Sequence, residues 1–263
     1  MSQRIPVLHL SRMHSEIEGS AGKGSINFGG RVEIEKLLDN PIWNALRTEQ
    51  RSLAISQNGA GRFPPAIGPL AGSPDQSLES YDALRVLAGP GGLLVLFLPA
   101  PPLLPGAWSL FREGILTQMV CPKPARFDPT LLAESAKLRS LGASDIPAMI
   151  ELATLTEPGP FRDKTIELGN FYGVFVEEGL MAMAGQRMRL PGFVEVSAVC
   201  THPDARGRGY AGILMSKVMQ DIRDGGKTPF LHAHENNPAV SLYRKLGFTQ
   251  RRTLRLAVIK RED

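Results

Sequence analysis

The chain has 263 residues, of which 43% are hydrophobic and 21% charged, so it has material for one large folded domain or two small ones. The formal charge of +4 tolerates an anionic ligand but gives little support to nucleic-acid binding. The longest apolar run, over residues 93–105, contains four prolines and is shorter than the roughly 20 residues of a membrane span. Cys121 and Cys200 lie far apart and match no disulfide or zinc pattern. We therefore expect a cytoplasmic protein without a metal or a membrane segment.

The first half of the chain predicts an arm followed by an α+β domain. Residues 1–31 mix Gly, Ser and charge without hydrophobic periodicity, which is typical of a flexible arm. Residues 32–126 are assigned to a divergent domain without an evident catalytic cluster. The elements predicted there are helices over 32–38, 41–49 and 75–87, strands over 52–56 and 93–98, a loop over 58–74, and a hairpin over 108–111 and 115–120.

The second half predicts a mixed sheet. Pro122, Pro124 and Pro129 mark the boundary, because repeated prolines interrupt both helix and sheet, and the second domain is expected over 138–263. Its predicted elements are a helix that Ser144 caps, a short helix over 165–171, an antiparallel meander over 172–177, 180–190 and 193–201, a helix over 209–225, a strand over 229–234, a helix over 238–246, and a closing pair over 248–252 and 254–260. A meander joined to strand-helix-strand crossovers indicates an α/β fold with a mixed sheet.

A glycine-rich turn after the third meander strand carries the most specific chemical signal. Gly207 and Gly209 stand between a strand and a helix, where glycine lets the backbone approach a ligand closely. The N–H groups of a helix's first turn have no intrahelical acceptor, and the positive end of the helix dipole lies behind them. Arg206 and Arg208 add positive charge. The turn therefore predicts a pyrophosphate site.

The same glycines also satisfy a competing pattern. Gly207, Gly209 and Gly212 match the G-x-G-x-x-G fingerprint of dinucleotide sites, with Glu235 near the place of a ribose-binding carboxylate. In that fold, however, the first glycine follows the strand almost immediately, and further strand-helix-strand units come after it. Residues 202–206 intervene here, and little chain remains after Glu235, so a nicotinamide or flavin site is disfavoured.

Two ordered segments resemble a known family. Residues 206–211, Arg-Gly-Arg-Gly-Tyr-Ala, are similar to the Q/R-x-x-G-x-G/A signature of the GNAT superfamily of acyl-CoA-dependent N-acyltransferases. Residues 237–248, Asn-Pro-Ala-Val-Ser-Leu-Tyr-Arg-Lys-Leu-Gly-Phe, are similar to its N-x-x-A-x-x-L-Y-x-K-x-G-F segment. The resemblance covers about residues 138–260 and is strongest to the FR47-like branch, whose members often carry a divergent N-terminal half. It implies a C-terminal GNAT fold, and the first half could be a degenerate copy of it without the Arg-Gly-x-Gly turn.

The resemblance implies a site for acetyl-CoA as co-substrate. Backbone N–H groups over 206–212 would hold the CoA pyrophosphate, and the strand edge over 198–201 would pair with the pantetheine amides. The strands over 193–201 and 229–234 would splay apart to form a slot for the thioester. Asn237 would contact the pantetheine or cap the helix, and the amide of Val199 or Cys200 would stabilise the oxyanion. The predicted cofactor-binding residues are Ala198, Val199, Cys200, Thr201, Arg206, Gly207, Arg208, Gly209, Tyr210, Ala211, Gly212, Asn237 and Ser241.

Transfer to an amine needs a group that removes a proton from the nitrogen and a group that protonates the departing thiolate. Tyr243 matches the tyrosine that serves as the acid in the family. Glu195 is the candidate base, because desolvation on a central strand would raise its pKa. The alternative is a carboxylate that faces solvent or pairs with Arg187 or Arg189 on the neighbouring strand. A covalent mechanism through Cys200 is disfavoured, since no activating base is evident.

The acceptor side of the slot is predicted less specifically. His232 and His234 alternate onto one face of their strand, where each would act as base, line the acceptor pocket or serve a structural role. Phe161 and Arg187 are further candidates, and Arg187 would recognise a carboxylate or be a plain strand charge. The expected function is acetyl transfer by direct attack of a small-molecule or peptide amine in a ternary complex, by a monomer or homodimer. The alternative is a non-catalytic CoA-binding sensor or regulatory protein.

Overall fold

The computed structural model describes residues 33–124, 126 and 128–262. The predicted arm over residues 1–31 and the first residue of the helix predicted over 32–38 lie outside the described residues. Residues 33–35 are α-helical, and Lys36–Asp39 continue them as a 3-10 turn. The α-helices that follow in the described chain are α1 (Pro41–Arg47), α2 (Leu78–Ala88), α3 (Ile146–Thr156), α4 (Tyr210–Asp224) and α5 (Val240–Lys245). Its strands are β1 (Ile55–Gln57), β2 (Ala60–Arg62), β3 (Ala71–Gly72), β4 (Leu93–Leu98), β5 (Trp108–Val120), β6 (Ala136–Ser140), β7 (Phe171–Val176), β8 (Gly179–Leu190), β9 (Phe193–Thr201), β10 (Thr228–His234) and β11 (Thr249–Arg261).

Eight strands form one mixed sheet in the order β4-β11-β5-β10-β9-β8-β7-β6. β9 and β10 run parallel, and the remaining neighbours in this sheet run antiparallel. β1, β2 and β3 form a separate small antiparallel sheet. The mixed-sheet α/β class predicted from the sequence is confirmed.

Strands from the two halves of the chain alternate at one end of the large sheet. β5, the last strand before the predicted boundary, lies between β10 and β11 and pairs with both. β11, the last strand of the chain, pairs with β4 of the first half. Each half therefore places its final strand beside a strand of the other half. The proline-rich segment divides the chain but does not divide this sheet.

Helices cover the sheet on both faces. Alternate β9 residues point to opposite sides, so Val194 and Val196 pack with Met215 of α4, while Phe193 packs with Ile42 of α1. α3 packs against β8 and β9. None of the helices in the described part of the chain has the length and apolar character that crossing a bilayer requires.

The predicted antiparallel meander is present as β7, β8 and β9, but two other strand pairs predicted in the large sheet are wrong. The pair predicted over 108–111 and 115–120 is the single strand β5, and the closing pair predicted over 248–252 and 254–260 is the single strand β11. Arg112 and Glu113 stand opposite Val258 and Ala257 of β11, so this charged stretch is extended strand and not a turn. Pairing between segments distant in sequence overrides the local turn signal.

Several shorter elements also differ from the prediction. The strand predicted over 52–56 is a 3-10 turn, Arg51–Leu53, followed by β1, while the predicted loop over 58–74 contains β2 and β3. The helix predicted over 165–171 is a 3-10 turn, Thr165–Leu168, after which β7 begins. β6 was not predicted. Ser144 lies within a 3-10 turn and does not cap α3; the Asp145 carboxylate accepts from the Gly142 N–H at 2.8 Å instead.

The exchanged strands generate a prediction about the isolated second half. A shortened chain of residues 128–262 leaves the edges of β10 and β11 unpaired and exposes apolar surface that Leu116 and Met119 cover. Each buried side chain of this size contributes about 1.5–3 kcal/mol. We expect the shortened chain to aggregate, and we expect co-expression with residues 33–124 to restore a soluble complex.

The matched control is the full chain cut at a protease site inserted after residue 126, which removes no strand. It should keep the cooperative thermal unfolding of the intact protein, followed by near-ultraviolet circular dichroism. A soluble, cooperatively unfolding 128–262 fragment on its own would contradict the dependence on β5.

Candidate active site

A cleft opens where β9 and β10 diverge. The two strands pair only from Phe193 opposite Thr228 to Glu195 opposite Phe230, so the β10-facing side of β9 has no strand partner after Glu195. The cleft between them has a volume of about 680 Å³. Residues of both strands and of the segment after β10 line it, namely Val196, Ser197, Ala198, Val199, Leu231, His232, His234, Asn237 and Tyr243. This is the splay that the family resemblance implies.

A bulge in β9 turns its backbone toward the cleft. Gly185 of β8 stands opposite Ser197 and Met183 stands opposite Cys200, so two β9 residues, Ala198 and Val199, oppose the single β8 residue between them. Ala198 has a φ of 51°, which is strained for a residue with a side chain. Four consecutive residues, 196–199, line the cleft, whereas a regular strand would present every second one.

The glycine-rich turn has the geometry of an anion site. Gly207 and Gly209 both have a φ of 79°, and the space where a Cβ would stand is open at each. The N–H groups over 207–212 donate no hydrogen bond to any described residue. Arg206 and Arg208 are exposed beside them, while the Tyr210 side chain is buried, so Tyr210 offers only its backbone. Unsatisfied donors with two nearby cations are what an oligophosphate needs.

Tyr243 of α5 lines the cleft with its ring packed against Phe248. The residue is 7% exposed, and its hydroxyl makes no hydrogen bond within the described part of the chain. Burial raises the pKa of Tyr243, so the phenol keeps its proton at neutral pH. A protonated, unpartnered hydroxyl in a cleft can donate a proton to an incoming group.

The other predicted residues of the second segment have different surroundings. Asn237 lines the cleft, and its Oδ1 accepts a hydrogen bond from the Ala239 N–H at 2.8 Å. This bond corresponds to the helix-capping role, one of the two roles expected for Asn237 from the sequence. Ser241 is exposed, bonds to the Pro238 carbonyl and does not line the cleft. Cys200 is buried, and burial raises the pKa of its thiol to about 11, which argues against a thiolate nucleophile.

The structure does not support Glu195 as the general base. Its carboxylate is 0% exposed, and the Arg187 guanidinium holds it through two hydrogen bonds of 2.7 Å. Burial alone would raise its pKa, but the charge and hydrogen bonds of Arg187, with a further contact from His232, lower the pKa to about 2. The sequence predicts an ion pair with Arg187 as an alternative to the general-base role of Glu195. A carboxylate this acidic and fully occupied positions its neighbours and does not accept a proton near neutral pH.

His232 is committed to the same network. Its Nδ1 lies 2.8 Å from Glu195 Oε1, and its Nε2 lies 3.0 Å from the amide nitrogen of Gln118. Arg251 donates to Gln118 Oε1 and so fixes the orientation of that amide. Gln118 therefore donates to His232 Nε2, which places the imidazole proton on Nδ1. Burial lowers the pKa of His232. Both ring nitrogens are occupied, so His232 has no free nitrogen with which to accept a proton from a substrate.

Both halves of the chain contribute to the rest of the cleft lining. His234 is exposed in the cleft, and its ring makes no hydrogen bond with residues 33–124, 126 or 128–262. Phe161 and Arg187 line the cleft as predicted, although Arg187 is paired with Glu195. Arg112 of β5 also lines it and was missed, because its charged stretch was interpreted as a turn. Leu110 and Phe111 are adjacent apolar residues, so no alternation of apolar and polar residues reaches Arg112 and local spacing gave no signal for it.

Comparisons with known proteins agree with this geometry. The model of the FR47-like protein family matches residues 171–256. A GNAT-family acetyltransferase structure from Novosphingobium aromaticivorans is similar over 86% of this chain and 99% of its own, with 36% identity and a TM-score of 0.78. A GCN5-related N-acetyltransferase from Kribbella flavida covers 91% of this chain and 97% of its own, with 12% identity and a TM-score of 0.58, and shares the fold. A search of the curated proteins found no match.

The match over nearly the whole length of the Novosphingobium aromaticivorans protein agrees with the FR47-like segment and with the splayed β9 and β10. The chain therefore belongs to the GNAT family of acetyltransferases.

Proposed function

We propose that this protein transfers an acetyl group from acetyl-CoA to a primary amine by direct attack in a ternary complex. The observation that supports the proposal is the mostly buried side chain of Tyr243, which lines the slot between β9 and β10 and whose hydroxyl has no hydrogen-bond partner among the described residues. The same cleft leads from this hydroxyl to the bulge at Ala198 and Val199. A proton donor and exposed backbone are thus available around one reacting centre.

In this proposal the CoA follows the edge of β9. The N–H groups over 207–212 and the side chains of Arg206 and Arg208 hold the pyrophosphate. The pantetheine lies along the open side of β9 after Glu195, where its amides take the place of a strand partner. A hollow of about 340 Å³ beside the first turn of α4, which Leu131 and Leu246 help to line, receives the nucleotide end.

The chemistry then requires two proton transfers. The amine nitrogen attacks the thioester carbonyl, the C–N bond forms, and the Val199 N–H stabilises the developing oxyanion. When the C–S bond breaks, the CoA sulfur takes the proton of Tyr243. The nitrogen loses its proton to His234, because this is the cleft histidine whose ring is unpartnered among the described residues.

We expect Tyr243→Phe to lower kcat by about 100-fold, since it removes the proton donor and leaves the ring packing on Phe248 intact. Affinity for acetyl-CoA should not change. The measurement is release of free CoA thiol from acetyl-CoA with a panel of amino acids, polyamines, aminoglycosides and lysine peptides, alongside calorimetric titration with acetyl-CoA.

The matched control is Tyr172→Phe, which removes a hydroxyl that bonds to Asp221 outside the cleft and should leave kcat unchanged. Equal turnover by Tyr243→Phe and the unaltered protein would contradict the acid role. Tight binding of acetyl-CoA without turnover of any amine would favour the sensor function over the enzyme.

His234→Gln tests the proton acceptor. The variant should lose about 100-fold in kcat/KM, because it removes the ring nitrogen that accepts the proton. Glu235→Gln changes the adjacent exposed residue, which does not line the cleft, and should keep the kcat/KM of the unaltered protein. Equal kcat/KM for His234→Gln and the unaltered protein would assign the proton transfer to another group or to water.

A further inference from the structure

An unpaired arginine from the first half of the chain faces the acceptor side of the cleft. Arg112 is exposed on β5, two strands away from β9 in the sheet. Leu116 is the β5 residue that pairs with His234. Arg112 lies four residues before Leu116, so the two residues are about 13 Å apart along β5. The guanidinium is therefore set apart from the thioester slot but lies in the same cleft.

The surroundings of Arg112 are aliphatic. Val258 of β11 stands directly opposite it, Val95 of β4 stands opposite Val258, and Leu256 is two residues along β11 on the same face. All three line the cleft. Arg112 makes no ion pair or hydrogen bond with the part of the chain that the structure describes. An uncompensated guanidinium beside an apolar wall is suited to a ligand that carries its own anion.

The remaining charged groups of the cleft do not supply that anion. Arg187 is neutralised by Glu195, so it does not compete for an anionic ligand. Glu157, which follows the last residue of α3, also lines the cleft and forms no ion pair with Arg112. The free positive charge at the acceptor side of the described cleft is therefore that of Arg112.

We propose that the acceptor amine carries a carboxylate, which Arg112 binds, and that an aliphatic spacer between amine and carboxylate packs on Val95, Leu256 and Val258. This inference rests on the proposed acetyl transfer and specifies its substrate class as an amino acid with the two groups well separated. It also assigns a binding residue to the first half of the chain. Arg112 is a specificity-determining residue here and takes no part in the chemical step.

The test compares amines that differ only in the remote group. With the unaltered protein, 6-aminohexanoate should be acetylated with a kcat/KM roughly 10-fold to 100-fold above that of 6-aminohexanamide, as expected for a hydrogen-bonded charge pair. Arg112→Gln should remove this preference by lowering the value for the carboxylate alone. Arg255→Gln is the matched control, because Arg255 is on β11 next to Leu256 but outside the cleft lining.

An aminoalkyl phosphonate of the same length separates a carboxylate from a phosphate-like group, and its preference over 6-aminohexanoate would overturn the carboxylate assignment. Equal kcat/KM for the two amines, or a preference that Arg112→Gln retains, would overturn the inference and leave acetyl transfer intact. Turnover confined to amines without an anionic group would also overturn the inference and leave acetyl transfer intact. Absence of CoA release with every amine would instead overturn the proposed function.

Discussion

The active-site cleft depends on one buried carboxylate at the point where β9 and β10 separate. Glu195 is the last β9 residue paired with β10, and it is fully buried. It can remain charged there because Arg187 and His232 hydrogen-bond to it; leaving such a charge unpaired would cost about 3–5 kcal/mol. These contacts join β8 and β10 to β9. The same interaction therefore fixes the base of the slot in which we place the thioester.

The first half of the chain completes this arrangement from the other side. Gln118 of β5 donates to His232 and to the Leu38 carbonyl, which extends the network into the first half. The Gln50 side chain donates to the Arg187 carbonyl and accepts from the Arg189 N–H, which braces β8 where its register shifts. Val95 of β4 and Arg112 of β5 then line the far side of the cleft together with β11 of the second half. Since the halves exchange strands, the cleft belongs to both of them.

Features encoded by local spacing were predictable from the sequence, and features set by distant pairing were not. The turn at Gly207 and Gly209 and the position of Tyr243 follow from short segments. The structure places Tyr243 in the cleft and Gly209 in the separate hollow beside the first turn of α4. The role of Glu195 depends on its partner across the sheet: burial alone would raise its pKa, but Arg187 lowers the pKa to about 2. Arg112 was missed because the β11 strand that keeps it extended comes much later in the chain.

Exchange of backbone amide hydrogens, measured with and without acetyl-CoA, shows whether one acetyl-CoA binds at the unsatisfied turn and along the open side of β9. We expect slower exchange over residues 207–212 and 196–200 at saturating acetyl-CoA, with unchanged exchange over residues 58–74 in the first half. Unchanged exchange at the turn, or slowing confined to the first half, would contradict this binding mode.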